Sequence, residues 1–516
     1  MSSTRTPFVI LLAALAVVLA YSPRIPQGVW GDQAVQLHAV QQYHAGVSPS
    51  INHVVQPDRT DLARDRPTWL TSHPPGTQLA VYPFVAAGVP LAASLRIVAV
   101  LALVFGALGW LRWFEQFELP FPVLCAAAGA LPFLHEASNN LFIFSQDALN
   151  FAVAPWLLLM TLRLATRPAR PEAWFGAGVA LGATYIVKYS LAFVGLGSLA
   201  FLALESFRAR RDAGRVALAA AGCALPIVAM SALNERFGVA ANTVAGQWRL
   251  YPQHLVSTVV GLVSNPALAV ADTEGLILRV SHTNYLLASY VGIAGGLTLW
   301  WLLARAPRTA PATRLALVVF IVTLMLMAVV WMGSEAADFE ARHVAPASLA
   351  VLPVAYLGGV ALWRRGGARR ALIAVVALGF VVLPVAYGVL ALGAKPDSSN
   401  VGLSGLYNPE IASDAERWII GRFGPTTDVW YSYDSNTGLD LPGRVWSSAD
   451  NLDLPTEFRS SRRLRVTALI SRRFELDGRG PAIRALFRDA GPWTRTTVPG
   501  SDHDAWTTII GPGPSD

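Results

Sequence analysis

Asp32 stands in the triplet Gly31-Asp32-Gln33, about ten residues beyond the end of the apolar run 7–22. A carboxylate at that depth lies at the rim of a bilayer, where it could accept a proton from a hydroxyl presented at the surface. A lone acid in such a loop serves equally as a solvated group or a helix cap. Further along, Asp147 opens the apolar run 148–165, where an acid suits the positive end of a helix; it reads both as a cap and as a working acid. Lys188, in Lys188-Tyr189-Ser190, is one of two lysines in a chain that otherwise uses arginine, and a lysine at a helix end can also simply snorkel. Arg342-His343 begin another apolar run, where a cation opposes the helix dipole and calls for an anion nearby.

These residues have to be positioned by the polar stretch 28–84 and by helices. Within that stretch His73-Pro74-Pro75-Gly76 is a rigid turn: each proline fixes φ, and the residue before it is pushed to extended geometry. The turn feeds Thr77 to Ser94, an apolar segment interrupted by Pro83 and Pro90 and expected to lie in the interface rather than cross the membrane.

With 516 residues, 53% hydrophobic, 14% charged and a mean hydropathy of +0.44, the chain is too apolar for a soluble protein of this length. Spans are expected near 7–22, 97–114, 121–137, 148–165, 173–188, 190–207, 216–233, 286–304, 315–333, 346–363 and 371–392, eleven helices in all. The net charge of +7 does not mark a nucleic-acid surface, because sixteen arginines fall in short turns between alternate apolar runs, among them Arg112, Arg163, Arg167, Arg208, Arg305 and Arg364. That bias predicts a cytoplasmic N-terminus and an extracytoplasmic C-terminal part in a bacterial inner membrane, with the first helix retained although Val18-Leu19-Ala20 would pass as a cleavage site. Cys125 and Cys223 both lie in apolar runs, which leaves no disulfide framework.

Residues 1–392 are thus expected to form a membrane module with two long outer loops, 23–95 and 234–285, that roof a shared cavity. Residues 393–516 are expected to form a small α/β domain, with helices at 409–421 and 481–490 and strands at 428–433, 464–470 and 505–511. The outer face would collect Asp32, Glu136, Asp147, Lys188, His282, Glu340, Arg342 and His343, and ionisable groups at membrane depth are costly enough to point to function. No zinc spacing, nucleotide loop or GxSxG elbow is present.

The order Gly31-Asp32-Gln33, His73-Pro74-Pro75, Asp147, Lys188-Tyr189, Leu233-Asn234 with Arg236-Phe237-Gly238, Trp331-Met332-Gly333, then Arg342 and Pro346 resembles the GT-C glycosyltransferases over roughly residues 1–392. The likeness is to the branch of bacterial protein mannosyltransferase-like and aminoarabinose transferase-like enzymes. It implies an all-α membrane bundle that uses a polyprenyl-phosphate sugar as donor and a glycan, lipid or protein hydroxyl as acceptor. It also implies Asp32 as general base, Asp147 as reserve acid, and Lys188 and Arg342 as phosphate partners, with His73, His343 and Glu340 lining the substrate. Gln33 stands where the family often has a second acid, and Arg342-His343 where it usually has Arg-Tyr. A divalent metal is left open as cofactor. A flippase or transporter of lipid-linked sugars and a non-catalytic envelope scaffold are the readings from other classes.

Overall fold

A computed structural model describes residues 5–512 apart from 23–25, 30, 72, 135–136, 138, 142, 210–212, 238–249, 272–284, 334–339, 367–369, most of 371–399, 409–410, 433–434 and 448–456. In chain order the helices of the first part are α1 (Arg5–Tyr21), α2 (Gly31–His44), α3 (Gly76–Ala86), α4 (Leu91–Phe114), α5 (Phe121–Ala130), α6 (Asp147–Thr166), α7 (Pro171–Val187), α8 (Leu191–Arg208), α9 (Ala213–Phe237), α10 (Leu255–Ala271), α11 (Tyr285–Arg305), α12 (Pro311–Gly333) and α13 (Ala341–Trp363). Six of them, α4, α6, α8, α9, α12 and α13, are long and apolar enough to cross a membrane. Their buried faces share with α1 one core that runs from Leu11 and Leu103 through Phe151, Phe201 and Phe320 to Val354.

The expected eleven spans are not matched one for one. Helices of 17, 17 and 21 residues, α1, α7 and α11, form where spans were expected, whereas α5 stops after 10 residues and tightens into a short 3₁₀ turn, Leu131–Phe133. Most of the last expected span, 371–392, lies outside the described residues. The segment 77–94 divides at Pro90: α3 has 11 residues, about 16 Å of rise and too short to cross, while Leu91 already begins α4.

Two stretches read as loop are ordered elements. Asp32 lies in the first turn of α2 and not in a coil. Within 234–285, α10 packs on α11 and α13, so closely that a Cβ on Gly296 of α11 would collide with the Val263 carbonyl. Its polar residues masked it in the sequence, yet they are satisfied inside the helix: Thr258 Oγ1 donates to His254 O (2.7 Å) and Ser264 Oγ to Val260 O (2.9 Å).

The polar stretch after α2 forms a hairpin, β2 (His53–Asp58) with β3 (Asp61–Trp69), which the charge-rich sequence did not announce. Two further strands of two residues each, β1 (Gly28–Val29) and β4 (Ile143–Phe144), pair in parallel, Gly28 with Ile143 and Val29 with Phe144.

The C-terminal part contains α14 (Ser413–Phe423), β5 (Val429–Ser432), α15 (Ser435–Asp440), β6 (Val445–Ser447), β7 (Leu464–Ser471), α16 (Arg472–Leu476), α17 (Arg479–Ala485), β8 (Thr494–Thr497) and β9 (His503–Ile510). Its sheet has the order β6-β5-β7-β9-β8; β5 runs parallel to both neighbours and β9 antiparallel to both of its own. The hairpin docks on it. Leu62 is part of the domain's core with Tyr431, Trp446 and Phe458, and Arg444 Nε reaches Asp65 Oδ1 at 2.7 Å.

Candidate active site

The paired strands β1 and β4 each lead, within three residues, into the first turn of a helix that carries an acid: Asp32 in α2 and Asp147 in α6. Pairing in parallel therefore sets two carboxylates side by side at the same end of the bundle, each at a helix end whose dipole favours negative charge. Both sequence-selected acids are brought together by this short ladder.

Their surroundings differ. Asp147 is buried, with 4% of its side chain exposed, and its carboxylate is fully engaged: Lys188 Nζ pairs with Oδ1, Asn150 Nδ2 donates to Oδ1 (3.2 Å), and Ser145 Oγ lies 3.0 Å from Oδ2. Asp32 keeps 40% of its side chain exposed, with His73 Nε2 at 3.9 Å from Oδ2. An acid meant to take a proton needs lone pairs free for the substrate, and Asp32 has them where Asp147 does not.

Lys188 caps the C-terminal end of α7 in extended geometry (φ −161°, ψ 137°), with its N–H on Thr184 O (2.9 Å). A cation there suits the negative end of the helix, so both members of the Asp147–Lys188 pair also answer their own helix dipoles. Arg342 sits in the first turn of α13, against the dipole. It pairs with Glu340 just before the helix and lies within Coulombic reach of Asp147 and Asp32; His343 faces Lys188, Asp147 and Arg342. The anion that a cation at this helix start called for is supplied to Arg342 by Glu340, with Asp147 nearby.

The turn His73-Pro74-Pro75-Gly76 is clamped from three sides. Gln36 of α2 and Gln146, the residue before Asp147, both donate to Pro74 O, at 3.2 and 2.8 Å. Gly76 lies against the Val187 carbonyl, where any Cβ would clash, so the turn abuts the residue before Lys188. Tyr189 completes the clamp: its hydroxyl donates to Thr71 O (2.7 Å) and accepts from Asn234 Nδ2 (3.0 Å), whose Oδ1 takes the Trp69 indole N–H (2.8 Å). Along α2, burial pushes His38 down to about 4, so it stays neutral near physiological pH and adds no cation beside Asp32.

Seven sequence-selected residues thus converge: Asp32, His73, Asp147, Lys188, Glu340, Arg342 and His343. Glu136 and His282 lie outside the described residues. Sequence reading missed Gln36, Ser145, Gln146 and Asn150; their one signal was polarity beside an acid at the mouth of an apolar run. Among the described residues no group of three or more His, Cys, Asp or Glu side chains is arranged to hold a metal ion.

No protein-family model matches the sequence, and neither does any curated protein. The fold is similar to that of two crystal structures of ArnT from Cupriavidus metallidurans. The one bound to undecaprenyl phosphate aligns with a TM-score of 0.53 at 13% identity over 98% of this chain and 99% of that one. The apo form aligns with a TM-score of 0.52 at 14% identity over 99% and 100%. The likeness extends through the C-terminal sheet domain, so the whole chain, not the helical part alone, follows that architecture.

Proposed function

We propose that this chain is an integral membrane glycosyltransferase that takes a sugar from a polyprenyl-phosphate carrier and passes it, with inversion, to a hydroxyl acceptor on the extracytoplasmic side of a bacterial inner membrane. The observation that carries the reading is the division of labour between two adjacent acids: Asp32 accessible beside His73, Asp147 buried and saturated by Lys188, Asn150 and Ser145. The fold adds support, since a protein of the same architecture was crystallised with undecaprenyl phosphate.

In this mechanism Asp32 accepts the acceptor hydroxyl's proton as its oxygen attacks the anomeric carbon. The carbon–oxygen bond to the phosphate breaks on the opposite face, and the polyprenyl phosphate leaves as an anion. Arg342 meets the charge that develops on that phosphate, and its neighbour His343 lines the same side. Lys188 fixes Asp147, and the buried pair holds the ends of α6 and α7 together beside the base. The leaving phosphate needs no protonation, so a second acid of raised pKa is unnecessary. Residues 393–516 then act as an extracytoplasmic domain that closes over the site together with the β2–β3 hairpin, an orientation supported by the sixteen arginines at the other end of the spans.

Asp32→Asn tests the reading because the amide keeps size and hydrogen bonding but accepts no proton. Transfer from a polyprenyl-phosphate sugar should fall at least about 100-fold while binding of the carrier is retained. More than about a tenth of wild-type turnover in the variant makes Asp32 structural and ends the assignment.

A further inference from the structure

Asp32 is held from the chain before it by the β1–β4 ladder, and one helical turn after it by a single side chain, Gln36. The spacing of four residues puts both on one face of α2, Asp32 at the open end and Gln36, 0% exposed, beneath it. Helix α2 therefore meets the His73-Pro74 turn at two points: Asp32 Oδ2 lies 3.9 Å from His73 Nε2, and Gln36 Nε2 donates to Pro74 O at 3.2 Å.

With no N–H on Pro74 or Pro75, the turn can be tied at these two residues only through their carbonyls, and the Pro75 carbonyl is spent on Leu79 N–H in α3 (2.9 Å). The Pro74 carbonyl takes its two donors from different helices, Gln36 of α2 and Gln146 at the start of α6 (2.8 Å), both buried. One oxygen thus joins the two acid-bearing helices to the turn that carries His73, while Gly76 seats the same turn against the Val187 carbonyl at the end of α7.

Stability does not account for a glutamine at position 36. Its Oε1 is buried and meets no donor among the described residues, and an unsatisfied buried acceptor costs free energy that an apolar side chain of the same length would avoid. Without Gln36, Pro74 O would still be satisfied by Gln146. A side chain kept at a cost to stability in order to place one hydrogen bond is explained by what that bond positions.

We infer that Gln36 and Gln146 are positioning residues for the base: their shared bond to Pro74 O sets Asp32, with His73 beside it, against the end of the bundle that carries Lys188 and Asp147. The inference rests on the role proposed for Asp32. Both glutamines act through the turn and not on the carrier, so the clamp governs the chemical step and leaves donor binding alone.

Gln36→Met in the purified full-length protein tests this, since methionine matches the side chain in length and removes the donor. The single-turnover rate should fall about tenfold, from one lost hydrogen bond and the misalignment it permits. Affinity for polyprenyl phosphate should stay within about twofold, and the melting temperature should be no lower than that of the wild type. In an Asp32→Asn background the same substitution should change the residual rate by less than about twofold, because no base is left to misplace. A full rate in Gln36→Met, beside an Asp32→Asn variant that has lost transfer, overturns the inference and leaves the proposed function standing. An equal loss in both backgrounds also overturns it, since the clamp would then act on something other than the base. A carrier Kd weakened as much as the rate makes Gln36 part of the donor site and overturns the positioning role. Asp32→Asn with more than about a tenth of wild-type turnover ends the proposed function and this inference with it. Should Gln36→Met fail to fold, Gln146→Met removes the other donor of the clamp and is read by the same rate, affinity and Asp32→Asn comparison.

Discussion

Lys188 and Asp147 join two helix ends of opposite polarity through a buried ion pair, the lysine closing α7 and the aspartate opening α6. Removing one partner leaves the other as an uncompensated buried charge, whereas removing both leaves a neutral contact of similar shape. Lys188→Met should therefore destabilise the protein by about 3–5 kcal/mol, and Lys188→Met with Asp147→Asn should recover most of that loss. Melting temperatures of the two variants in one detergent check it; a double variant no better than the single would show that the pair is not the coupled unit.

Arg342 occupies a helix start that disfavours it and is held there by Glu340, Asp147 and Asp32. A cation placed against its helix dipole is available to an incoming phosphate, and a charge-assisted hydrogen bond of this kind contributes about 1.5–3 kcal/mol. Arg342→Ala should weaken carrier-lipid binding about 10- to 100-fold with the fold retained. Equilibrium binding of polyprenyl phosphate to the purified variant is the measurement, and an unchanged Kd would detach Arg342 from the phosphate.

The clustering that makes up the candidate site was legible in the sequence because charge at the end of an apolar run is expensive: Asp147, Lys188 and Arg342 each announce themselves by that cost. Asp32 was legible as an acid near the membrane, but the ladder that sets it beside Asp147 was not, since Gly28-Val29 and Ile143-Phe144 are too short to carry a strand pattern. The hairpin escaped for another reason. Of β3's nine residues only Leu62 and Trp69 are buried, and residues 64–67 face solvent, so alternation never develops. In the C-terminal domain β7 and β9, central and apolar, were read correctly, whereas β8 (Thr494–Thr497) is an exposed edge with no apolar residue to mark it. Gln36 and Gln146 could not be recognised as a clamp, because their shared acceptor, the Pro74 carbonyl, exists as a target only in the folded turn.

Glu416 of α14, 1% exposed, lies beside Asp440 at the end of α15, whose Oδ1 accepts the Ser404 N–H (2.5 Å). Burial first, and then the neighbouring Asp440 charge, push the Glu416 carboxyl up to about 8 from its ordinary 4.5. The folded state thus binds a proton that the unfolded chain releases near pH 4.5. Its stabilising effect is full below pH 4.5 and is lost progressively as pH rises to about 8. Unfolding of the C-terminal domain, followed in the full-length protein by the buried Trp430 and Trp446, should occur at lower temperature at pH 9 than at pH 6. Glu416→Gln, which keeps a neutral side chain at every pH, should flatten that dependence; parallel profiles for variant and wild type would place the titration elsewhere.

The C-terminal domain also reaches the strand that leads to Asp32. Gly28 of β1 is bridged on one side by Ile143 and on the other by Tyr407, whose N–H donates to Gln27 O (2.8 Å), and Asn436 Nδ2 donates to Val29 O (3.3 Å). Helix α15 packs on α2, and Leu439 joins the hydrophobic core of the helical bundle. The domain is therefore a wall of the strand that aims Asp32, and the alignment of a base is sensitive to displacements of about 1 Å. Asn436→Ala removes one donor from Val29 without touching Arg342 or Lys188. Turnover should fall about tenfold, matching a hydrogen bond of about 1 kcal/mol plus the misalignment it permits, while affinity for the carrier lipid stays within about twofold. Single-turnover kinetics set beside equilibrium binding separate the two effects: a matching loss of affinity would make the domain part of the donor site, and no change in either would leave Asn436 as packing alone.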